Sequence, residues 1–161
     1  MRIGLAVREV RDAEVELASE LGKVGERHHA DHDVFHVTRT LIGVHQANLE
    51  ALAPFGERYG VDVDPGDADA GEGPLARLRE KAADVTGRRP EGGLPLLRDL
   101  RHLHLLYAEA SVNWVLLGQG AQVARDQELL DTISRCHAQT LRGMKWTLTQ
   151  LKTASPQVLA G

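Results

Sequence analysis

The chain reads as an all-α protein: a four-helix bundle whose second and third helices are joined by a long crossover. Three observations predict this. The strong helix formers Ala, Leu, Arg, Glu and Gln dominate, and aromatic residues make up only 4%. Apolar residues recur at steps of three and four, while strict apolar–polar alternation is rare. Proline, glycine and aspartate concentrate between residues 61 and 93, dividing the chain into two helix pairs. At 161 residues with 42% hydrophobic content, residues 1–161 suffice for a single domain with its own core.

The first helix is predicted from about Val10 to Ala30, with Leu17, Leu21 and Val24 marking its apolar face. The segment after Ala30 has two readings. Asp31 or Asp33 suits the N-cap of a new helix, which makes a hairpin at ADHD. Yet the same phase continues through His28, Phe35, Thr38, Ile42, His45 and Leu49, and neither glycine nor proline interrupts residues 26–42. One helix of more than forty residues is the alternative; a hairpin is preferred because it matches the later helices in length. Pro54 is expected to end or kink the second helix, and Gly60 to close it.

VDVDPGDADAGEGP then reads as a surface loop, and Leu75 to Val85 as a short helix within the crossover. A connection over 61–93 exceeds what neighbouring antiparallel helices need and suits a span along the bundle. The third helix shows Leu97, Leu100, Leu103, Tyr107, Ala110, Trp114 and Leu117 on one face and is expected to end near Gly118 and Gly120. The fourth is expected from about Ala124 to Thr153, with Leu130, Ile133, His137, Thr140, Met144, Leu148 and Leu151 inward, stopped by Ser155-Pro156.

Several function classes are disfavoured. The net charge is −4, and basic residues are scattered among acidic ones, so nucleic acid is not an expected partner. No stretch of about 18 apolar residues suggests a membrane span, and the first twenty residues do not read as a signal peptide. With a single cysteine, Cys136, a cytoplasmic location is expected. Asp62, Asp64, Asp67 and Asp69 do not follow the EF-hand order, because Pro65-Gly66 interrupts them.

The segment Glu26 to His45 carries five of the eight histidines. If the backbone stays helical, His28, His32 and His36 stack on one face, with Glu26, His29 and Asp33 on an adjacent stripe. Imidazoles and carboxylates at that spacing suit a transition metal, iron or zinc. His137, on an otherwise apolar face, or His102 or His104 with Glu109, could complete such a set. The competing readings are a polar turn with solvated histidines and, for His137, a neutral imidazole bonded to a carbonyl or to Thr140. His45 falls on the core phase and is expected to be structural, paired with a carboxylate.

Four long helices with one crossover between the second and third resemble the ferritin-like superfamily, and this chain is most similar to a divergent member. The resemblance implies a di-metal centre built from a Glu on each of two helices and Glu-x-x-His on the other two. One such motif is present, Glu26-Arg27-His28-His29. The fourth helix offers only Glu128-Leu-Leu-Asp131, and the single carboxylates would be Glu50 and Glu109. The ligand set is incomplete. Haemerythrin-like and DinB-like patterns also fail, the latter because Leu141 stands where a second histidine is required. The expectation is therefore a bundle binding a transition metal through the histidine cluster. The alternative is a metal-free homo-oligomeric scaffold or adaptor. A homodimer is expected in either case.

Overall fold

A carboxylate cap decides between one long helix and a hairpin. In the computed structural model, which describes residues 2–63 and 93–161, α1 spans Ile3–Arg27 and α2 spans His32–Arg58. The Asp31 carboxylate accepts a hydrogen bond from the Val34 amide at 3.2 Å and starts α2. The Asp31 amide donates to the His28 carbonyl at 2.9 Å, closing the turn. The histidine run is thus split between the end of one helix and the start of the next.

α3 covers Leu94–Ala124 and α4 covers Gln127–Ala160. α3 continues past Gly118 and Gly120, where the pattern suggested an end. It stops when Arg125 turns left-handed at φ 54° and Asp126 caps α4 through the Leu129 amide at 3.1 Å. Pro54, expected to end or kink the second helix, lies inside α2, and Pro156, expected with Ser155 to stop the fourth, lies inside α4. Each removes one ladder hydrogen bond, yet packing on either side offsets it. Leu52 and Phe55 are buried around Pro54, and beyond Pro156 the Val158 side chain lies against Gly93 at the start of α3. Gly60, at φ 73°, lies just past the end of α2 as its sequence position suggests. The short helix expected over Leu75 to Val85 lies outside the described residues.

Ile3, Phe55, Ala121 and Leu129 share one apolar cluster, so the start of α1, the ends of α2 and α3, and the start of α4 meet at one end of the bundle. Val24, Val34 and Leu103 gather at the other end, with Met144 packed against them. α1 and α4 therefore run one way, and α2 and α3 the other. α1 packs on α2 and α3, and α4 packs on α3 and, more lightly, on α2. The end of α2 and the start of α3 lie at opposite ends. Among the described residues, no helix is long and apolar enough to cross a membrane.

The inward stripe of α4 shares Ile133 and Thr140 with the expected one and otherwise differs from it. Leu129, Thr132, Cys136, Thr140, Gly143 and Thr147 are buried, whereas Leu148 and Leu141 are each 40% exposed. Small residues turn inward because the helix approaches closely: a Cβ on Gly143 would run into the Tyr107 ring. Gly25 plays the same part where α1 meets Thr38 of α2.

Candidate functional site

Between the two apolar clusters lies a polar layer to which every helix contributes. Glu14 on α1 continues the stripe of Val10, Leu17 and Leu21, so the helix period carries its carboxylate straight into the core, where it is fully buried. An isolated buried carboxylate is costly. Here four side chains converge on it. His45 Nδ1 of α2 lies 2.5 Å from Oε2, which also accepts from Asn48 Nδ2 at 3.3 Å. Oε1 accepts from the Trp114 indole N–H of α3 and the Thr140 hydroxyl of α4, both at 2.8 Å. His45 Nε2 lies 2.7 Å from the Tyr107 hydroxyl. Asn48 and Thr140 also donate to the Cys136 carbonyl, at 3.4 and 3.3 Å.

The electrostatics follow from this arrangement. Burial works to raise the Glu14 carboxyl. The hydrogen bond and charge of His45, aided by Trp114 and Thr140, outweigh it and hold the group below the ordinary carboxylate value. Burial, then the Glu14 charge, raise the Tyr107 phenol. The same two causes push the Cys136 thiol up to about 11, which leaves it an unreactive thiol at neutral pH.

The histidines singled out by spacing do not converge. His28 ends α1 and reaches across to Asp99 of α3, Nε2 to Oδ2 at 2.8 Å, where Arg27 Nε also donates at 3.0 Å. Burial would raise the Asp99 carboxyl, but His28 and then Arg27 lower it further. His29 Nδ1 lies 3.0 Å from the Glu26 carbonyl, and the Glu26 and Asp33 side chains are exposed. His32 and His36 stand exposed one turn apart on α2, with ring centroids 6.3 Å apart and planes 13° from parallel. Glu109 is exposed on the outer side of α3. His137 is half-buried and bonds the Ser111 hydroxyl at 2.8 Å, rather than a carbonyl or Thr140, and burial lowers its pKa against the pull of Glu14. His104 is tied to the Thr147 hydroxyl at 2.9 Å. Among the described residues, no three His, Cys, Asp or Glu side chains are grouped so as to hold a metal ion.

No known protein family, curated protein or solved structure matches this chain.

The di-metal centre implied by a ferritin-like resemblance can be tested against this layer. Its donors are one carboxylate and one imidazole, Glu14 and His45. α3 contributes Tyr107 and Trp114 at this level, and α4 contributes Thr140. All four bonds to Glu14 come from protein donors, and bulky rings fill the interior on the α3 side. These residues do not fit a carboxylate-rich di-metal site. Glu14 is the residue that spacing arguments miss. The signal is present in the sequence: a glutamate in phase with Val10, Leu17 and Leu21.

Proposed function

We propose that this chain is a ferritin-like helical bundle acting as a self-associating scaffold or adaptor. In this reading the mid-bundle Glu14–His45 pair joins the helices and performs no reaction. The observation that carries it is the saturation of Glu14, whose two oxygens each accept two hydrogen bonds from side chains of the other three helices. A general acid or base must come within hydrogen-bond reach of its substrate. Glu14 and His45 have no exposed surface, and both nitrogens of His45 are engaged. The ferritin-like part is supported by the opposite-ended placement of the end of α2 and the start of α3, the layout of a bundle with one crossover.

A second reading, capture of iron or zinc at the α1–α2 hairpin, is favoured by one observation. His32 and His36 present two exposed imidazoles one helical turn apart, a spacing that suits two ligands of a transition metal. In this reading His28, His29, Glu26 and Asp33 would have to leave their present positions to join, with Glu109 and His137 remaining on α3 and α4.

Metal analysis of untagged protein from iron- and zinc-replete growth tests both, run on the parent, Glu14→Gln and the double variant His32→Ala/His36→Ala. The scaffold reading expects no stoichiometric metal in any of them. Metal lost only in the double variant supports the second reading. Metal lost in Glu14→Gln would overturn the first.

A further inference from the structure

The outer surface of α3 carries an apolar stripe with an internal symmetry. Leu105, Val112, Leu116 and Val123 are 55%, 57%, 58% and 82% exposed. Their spacings of seven, four and seven put them on one narrow strip of a helix. The strip reads the same from either end about the level of Trp114: Leu105 and Val123 are equidistant from it, as are Val112 and Leu116. In an isologous contact residue i meets residue j and j meets i, so a strip with this spacing brings apolar residues opposite apolar ones.

We infer that this face pairs with the same face of a second copy, the two α3 helices antiparallel about a two-fold axis at the level of Trp114. This rests on the scaffold reading above and supplies its interface. In that register Leu105 meets Val123 of the second copy, and Val112 meets Leu116. Glu109, also exposed on this side, falls opposite Gln119 instead of another glutamate, so no like charges meet within the strip. Arg101, exposed near the start of α3, lies toward the α3–α4 corner of the second copy, where Asp131 and Arg125 are exposed and Glu128 is paired with Arg58. The seam spans about 27 Å at 1.5 Å per residue. Leu141 and Leu148 of α4 are also exposed, and their helix flanks α3. Two neighbouring helices of that length offer roughly 500 Å² per copy, below the ~800 Å² of a standard interface, which corresponds to a reversible dimer of modest affinity.

Sedimentation equilibrium of the full chain over the micromolar range tests this, with circular dichroism to verify folding. The parent is expected to dimerise reversibly. Val112→Glu and Leu116→Glu change exposed positions and should leave the helix content intact while weakening the dimer by more than about tenfold. The register has its own test. Gln119→Lys places a cation opposite Glu109 and should tighten the dimer in a salt-sensitive way, whereas Gln119→Glu should weaken it. A parent dimer unmoved by any of these changes overturns the α3 surface and leaves the scaffold reading standing. A parent that stays monomeric overturns the self-association in both.

Discussion

Replacing Glu14 with glutamine keeps the shape of the polar layer and removes one of its acceptors. The amide oxygen can face only one pair of donors, and the amide NH₂ confronts the other. Turned toward Trp114 and Thr140, the NH₂ meets an indole N–H that can only donate. Turned toward His45 and Asn48, it meets a ring nitrogen that can accept after a change of tautomer, but Asn48 remains donor against donor. The better orientation therefore leaves one buried conflict, costing about 1–3 kcal/mol, and exchanges charge-assisted hydrogen bonds for neutral ones. A net loss of about 2–4 kcal/mol is expected from a domain whose stability is of order 5–15 kcal/mol. Glu14→Leu should cost more, since both donor pairs lose their acceptor. Urea unfolding followed by circular dichroism measures both. A second signature is pH. The folded carboxyl lies below its reference value of 4.5, so its contribution is complete above that value and is lost as pH falls through the folded pKa. That part of the acid slope should vanish in Glu14→Gln. The reasoning is refuted if Glu14→Gln lies within about 0.5 kcal/mol of the parent, or if Glu14→Leu is the more stable of the two.

Other expectations rest on the same packing. Gly143→Ala drives a methyl group into the Tyr107 ring and should cost about 1–3 kcal/mol. Gly43→Ala, with open space around its Cβ, should instead stabilise by about 0.5–1 kcal/mol; equal effects in thermal unfolding would contradict the close α3–α4 approach. Asp99→Asn should lose about 1 kcal/mol by weakening the links to His28 and Arg27. Because the Asp99 carboxyl sits below its reference 3.8, the difference from the parent should be full above that pH and shrink as pH falls below it, which paired denaturation curves would reveal.

The helices are legible in the sequence because leucine and valine at steps of three and four are a strong signal, and Asp31 at the hairpin is an ordinary N-cap. His45 paired with a carboxylate is legible too, since it stands in the phase of Leu49 and Leu52. Its partner is harder to see, because Glu14 stands alone, far in sequence from the dense run of histidines. The inward stripe of α4 is hidden for a related reason. Hydrophobicity points to Met144 and Leu148, whereas close packing against Tyr107 demands Gly143 and small threonines. His28 turns to Asp99, 71 residues away, a contact that no local spacing encodes. Helix continuation through Pro54 and Pro156 is likewise invisible locally because it depends on neighbours beyond the segment.

The polar layer also constrains how the helices can move past one another. Purely apolar faces tolerate sliding, since one leucine replaces the next after a turn. Here a shift of α2 by one turn, about 5.4 Å, would carry His45 beyond reach of Glu14 and Tyr107 together. A ratchet motion along α2 is therefore blocked, and any rearrangement of this bundle must come from its ends or from whole-body contacts with neighbours.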